Sequence, residues 1–87
     1  MDLAVAIRER LAALEPVSLE LLDESGAHVG HEGARSGGSH FRLEIVSHRF
    51  SGKDKRERHR MVYAALGALM QREIHALAIN ARAPDEV

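Results

Sequence analysis

The chain has no cysteine and no tryptophan, only two prolines, and aromatic side chains make up 3% of its 87 residues. Without cysteine it has no disulfide, no thiolate nucleophile and no cysteine-ligated metal site of its own. An excess of one charge is also missing. Twelve Lys and Arg stand against thirteen Asp and Glu, a formal net charge of −1. No overall field draws the chain to nucleic acid or membrane, and such binding has to come from a local patch. No run approaches the ~18 apolar residues of a membrane span. The opening MDLAVAIRERLAAL lacks the basic lead and long apolar centre of an export signal. These absences lead us to expect a cytoplasmic protein with no membrane partner.

Hydrophobic residues reach 45% and charged residues 29%, the balance of a globular chain. A chain of this length is expected to form one domain over residues 1–87. It buries roughly 60–65% of its unfolded surface, enough for one two-layer core but not for a deep cleft. We therefore expect a non-enzymatic protein.

Asp2 is placed to cap a first helix whose Leu3, Ile7, Leu11 and Leu14 share one face. Pro16 ends it and biases Glu15 towards an extended conformation. Val17, Leu19 and Leu21 alternate with Ser18 and Glu20, which predicts a half-buried strand. A second strand over Phe41 to Ser47 sets Phe41, Leu43 and Ile45 against Arg42, Glu44 and Val46. One apolar and one wet face suggest an antiparallel pair covered on one side.

The connection between these strands, Glu24 to Ser39, is glycine-rich and far longer than the two to five residues usual in a hairpin. It carries His28, His31 and Glu32. Two histidines three apart fit either solvated loop residues or two ligands of a metal site, and a closed site needs more than two. His28, His31 and Glu32 could also imitate an acid/base set, but no nucleophile accompanies them.

After a turn from Ser47 to Lys53, Asp54 to Glu57 has the residue types of a capping box, so the second helix is expected from Asp54. Met61, Val62, Ala65, Leu66 and Leu69 fall on its buried side. The basic run divides by helical geometry. Arg56 and Arg60 share the outward face with Tyr63 nearby, and Lys53 precedes them. This set is open to two readings, a solvated face or phosphate contacts beside an aromatic ring. Arg58 projects on the apolar side, where its stem is expected to pack and its guanidinium to meet a carboxylate or carbonyl. After a break at Gln71 to Glu73, Ile74 to Ala81 reads as a third strand. His75 shares the parity of Leu77 and Ile79 but starts at the strand end, where it is either a hydrogen-bonded histidine or a ring at the rim. Ala81 to Val87 reads as a tail.

In this order the segments DESGAHVGHEG, SHFRLEIVS, FSGK, RHRMVY and IHALAI, followed by Pro84, resemble the BolA family over nearly the whole chain. The resemblance implies an α/β two-layer fold of order αββαβ, with a three-stranded mixed sheet, helices on one face and kinship to type II K-homology domains. The backbone-clamping GxxG of RNA-binding K-homology domains is incomplete here. Gly52-Lys53-Asp54-Lys55 lacks the second glycine. The resemblance further implies an adaptor that binds a monothiol glutaredoxin and shares a two-iron two-sulfur cluster, with thiolates supplied by glutaredoxin and glutathione. The family's strand ligand falls on His75, and its loop ligand on His28, with His31 as a substitute. A monomer or weak homodimer is expected when the chain is alone. The family also includes DNA-binding transcriptional regulators of cell shape and stress response. For that role Lys53, Arg56, Arg60 and Tyr63 would form the contact face.

Overall fold

The computed structural model describes residues 2–24 and 40–87. The first helix, α1 (Leu3–Leu11), starts where Asp2 accepts the backbone N–H of Ala4 at 2.9 Å. It tightens into a 3-10 turn at Ala12–Leu14. Ile7 and Leu11 are fully buried and Leu14 nearly so, as their spacing predicts.

Glu15 departs from expectation. It adopts a left-handed conformation (φ 50°, ψ 57°) instead of an extended one. Its N–H closes the 3-10 turn on Ala12 O at 3.0 Å, while its carboxylate accepts Arg49 Nε at 2.9 Å and Nη2 at 2.7 Å. The turn and the ion pair together outweigh the local preference set by Pro16.

Three strands follow: β1 (Ser18–Asp23), β2 (His40–Val46) and, later in the chain, β3 (Ala76–Arg82). They lie in the order β1-β2-β3, with β1 antiparallel and β2 parallel to its neighbour β3. The sheet is therefore mixed, and β2 is its centre. Phe41, Leu43 and Ile45 turn inward and are buried, whereas Arg42 on the other face is exposed. Val17, expected on the buried side of the first strand, is 61% exposed. It sits on the bend before β1, where its N–H already donates to Val46 O at 2.7 Å but its side chain stays outside the core.

The second long helix, α2 (Lys55–Leu66), is capped by Asp54, whose Oδ1 accepts the Glu57 N–H at 2.8 Å. Val62 and Leu66 are fully buried, with Met61 and Ala65 packed beside them. The expected continuous helix does not form. Gly67 (φ 55°, ψ −129°) ends α2, and a short α3 (Ala68–Arg72) carries Leu69 into the core. Gly67 thus adds a break inside the helical segment, while the helix-to-strand break expected at Gln71 to Glu73 falls at Glu73 to His75. The third strand also begins later than Ile74 and runs to Arg82, so the segment read as a tail is partly strand. A 3-10 turn at Pro84–Glu86 follows the buried Ala83.

Ile7, Leu11, Leu43, Ile45, Phe50, Val62 and Leu66 form the fully buried centre between the helices and one face of the sheet. Burying each of the larger side chains contributes about 1.5–3 kcal/mol. Ser47 is the one buried polar side chain among the described residues. Its hydroxyl donates to Leu14 O at 2.6 Å and accepts the Arg49 N–H at 3.1 Å, while its own N–H donates to Arg82 O at 3.0 Å. One residue thereby ties the end of the α1 segment to the ends of β2 and β3.

Candidate functional site

Two groups of polar side chains sit at opposite ends of β3. At its start, Glu73 and Ile74 both donate their N–H groups to Leu69 O, at 3.0 and 2.9 Å, closing the end of α3. Ile74 is then buried, at 5% exposure, and anchors the turn. His75 follows on a bend and is exposed. The buried anchor and the strand start leave its imidazole at the rim of the sheet.

The parallel register sets His40 opposite Ala76, so His75 immediately precedes the residue that faces His40. The two imidazole centroids are 5.1 Å apart, with the rings tilted by 43°. His40 is half-buried, and its carbonyl accepts the Glu24 N–H at 2.8 Å. Glu24 itself is paired with Arg42 Nε at 3.1 Å. The partner position of His40 was missed by sequence reasoning, because it depends on the parallel β2–β3 register and not on spacing along the chain. His28, His31 and Glu32 lie outside the described residues. Among the described residues, no group of three or more His, Cys, Asp or Glu could hold a metal ion.

The basic residues lie towards the far end of β3. Arg56, Arg60 and Lys53 are exposed, and Tyr63 is 43% exposed. His59 meets Tyr63 edge-on at 6.4 Å between ring centres. Lys53 separates from the two arginines. It lines a groove of about 460 Å³ together with Lys55, Arg58, His59, Ile79, Asn80 and Ala81, whereas Arg56, Arg60 and Tyr63 do not.

Arg58 takes the structural role its position on the apolar side predicts. Its side chain is 11% exposed. Nε donates to Lys53 O at 2.8 Å, and Nη1 to Ala81 O at 3.0 Å. Nη1 and Nη2 also donate to the two Glu86 carboxylate oxygens at 2.6 and 2.7 Å. The Arg58 hydrogen bonds, aided by the Ala83 N–H at 3.0 Å, hold the Glu86 carboxyl down to about 2. Arg58 is thus committed to fastening the C-terminal turn to the start of α2 and is not available as a phosphate contact.

The family model described as BolA-like protein matches residues 11–86. The chain belongs to the BolA-like family. It is 48% identical over 80 residues to BolA-like protein 1 of Homo sapiens, covering 91% of this chain and 56% of that protein. It is 42% identical over 79 residues to the DNA-binding transcriptional regulator BolA of Escherichia coli (strain K12), covering 85% of this chain and 72% of that protein. Among solved structures, the BolA domain of SufE1 from Arabidopsis thaliana is similar at a TM-score of 0.80 and 44% identity, with 95% and 93% of the two chains covered. BolA1 from the same organism reaches a TM-score of 0.84 at 37% identity, with 100% and 97% covered. The mixed sheet with its helices is therefore the BolA-like fold. This BolA-like chain spans 56–57% of the length of the mammalian BolA-like protein 1 relatives from Bos taurus and Homo sapiens. Among the described residues, no helix is long and apolar enough to cross a membrane.

Proposed function

We propose that this chain is a non-enzymatic cytoplasmic adaptor that binds a monothiol glutaredoxin and shares a two-iron two-sulfur cluster with it, serving iron-sulfur trafficking and iron or redox regulation. The observation that carries the reading is the exposed imidazole of His75 at the rim of the sheet, on a bend fixed by the buried Ile74. The donor set fits one part of such a cluster. Iron in two-iron clusters accepts histidine in place of cysteine, as in Rieske centres. With no cysteine of its own, this chain contributes imidazole, and glutaredoxin with glutathione supplies the thiolates. The resemblance adds His28, with His31 as its substitute, as a loop ligand.

Mixing the purified chain with a monothiol glutaredoxin, iron, sulfide and glutathione tests this directly. The visible absorption and circular dichroism spectrum is expected to differ from that of the glutaredoxin homodimer, and His75→Ala should return it to the homodimer form. A spectrum unchanged by His75→Ala removes His75 as a ligand.

A second reading, a DNA-binding regulator of cell morphology and stress response, is favoured by the joint exposure of Arg56 and Arg60 beside Tyr63. The name of the Escherichia coli relative points the same way for that protein. Lys53, in the adjoining groove, would extend the contact.

A further inference from the structure

The geometry points to a site that neither reading requires: His40 and His75 form a two-imidazole clip for a single divalent transition-metal ion, in the isolated chain and without a partner. Their ring centroids are 5.1 Å apart. Metal–nitrogen bonds of about 2.0–2.1 Å, extended by about 1.1 Å to each ring centre, put two imidazoles on one tetrahedral ion roughly 5 Å apart. The observed separation is thus one that two imidazoles can keep once each turns a nitrogen towards a shared ion. The 43° tilt is no obstacle, since a bound ring turns about its own metal–nitrogen bond. His75 is exposed, and rotamers of such side chains interchange within nanoseconds, so its ring can aim a nitrogen at the shared point.

The backbone makes this pairing durable. His40 is the first residue of β2, and His75 precedes the residue that β2 hydrogen-bonding sets opposite it. The His40 main chain is thus held by the central parallel pairing, and His75 lies one residue before that pairing, next to the buried Ile74. The neighbouring Glu24 carboxylate is engaged by Arg42 at 3.1 Å. The described residues accordingly supply two ligands and leave the remaining positions to water or to an external group. An all-imidazole, neutral donor pair suits zinc, nickel or copper, and by the general order of stabilities copper binds tightest. The inference stands on the His40–His75 geometry and does not rest on a glutaredoxin partner.

Zinc(II) titration of the purified full chain at pH 7.5 tests it, read by calorimetry and by the imidazole NMR signals. One equivalent should bind, and of the six histidines the signals of His40 and His75 should move together. His40→Gln and His75→Gln, each checked for native circular dichroism, should both lower the affinity at least tenfold. His75→Cys, kept reduced with a phosphine, should retain binding, which a purely structural loss at this position would not do. Absence of zinc binding overturns the clip. So does wild-type affinity in either glutamine variant, or movement confined to other histidines. Any of those results leaves the glutaredoxin spectrum of the preceding section as a separate question.

Discussion

At the scale of single residues, the side chains with the most structural consequence are those that bridge segments distant in sequence. Arg58 is the clearest case. Its place on the apolar side of a helix required its charge to be answered locally, so the role was legible, but its partner was not. Glu86 lies beyond the last periodic segment, where nothing in the spacing marks it. The depressed Glu86 carboxyl makes the link pH-dependent, and the sign follows from its direction. A carboxyl held down to about 2 in the folded chain, against an ordinary value near ~4.3, binds protons less readily folded than unfolded. Its contribution is complete above the unfolded value and is lost as pH falls from there towards about 2. Thermal melts of the wild type and Glu86→Gln should therefore differ at pH 7 and converge towards pH 2. A difference that persists unchanged at pH 2 would show that the carboxylate charge is not what fastens the turn.

At the scale of elements, the helix and strand faces were largely readable because apolar periodicity is set by the same burial that forms the core. Ile7, Leu11, Leu43, Ile45, Val62 and Leu66 all fall where periodicity places them. The errors lie at ends, where a local preference competes with tertiary contacts. Glu15 leaves its helix through the left-handed region, with its N–H closing the 3-10 turn on Ala12 O, and Val17, just before β1, stays exposed although its N–H already donates to Val46 O at 2.7 Å. Gly67 is the most informative error. Apolar residues continue through Leu69 and Met70, so the pattern hides a break made by the backbone alone. At φ 55° and ψ −129°, Gly67 occupies a region that a side chain strongly disfavours. A Cβ there would meet Arg10 Nη1 at an ordinary 3.6 Å, so the cost is conformational and not a clash. Gly67→Ala should destabilise the fold by about 1–3 kcal/mol, read as a lower urea midpoint with an unchanged slope. Wild-type stability would mean that α2 and α3 can merge into one helix without loss.

At the scale of the molecule, the candidate sites are divided by β3 itself. His75 adjoins its first residue, while Arg58 at the start of α2 donates to Ala81 near its last. Seven strand residues at about 3.3 Å each separate the two ends by roughly 20 Å. That exceeds the Debye length of ~8–10 Å at physiological salt, so charge at one end has little influence on the other. The histidine end was partly legible, through His75, whereas His40 emerged only with the sheet register. The basic end was legible as a face but not in its membership, since Lys53 turns into the groove while Arg56 and Arg60 stay outside it. A net charge of −1 supplies no background attraction to DNA, so any binding has to come from a local patch such as this one. The logarithm of affinity should then fall linearly with the logarithm of salt concentration, with a slope near −0.9 per phosphate contacted. Replacing both arginines, Arg56→Ala/Arg60→Ala, should make that slope shallower by about 2, while His75→Ala leaves it unchanged. Measured by fluorescence anisotropy on a promoter fragment and on a random duplex, equal affinities would reduce the interaction to nonspecific attraction. An unaltered slope in the double variant would remove this helix face from the DNA contact, leaving Lys53 and its groove as the basic surface to examine.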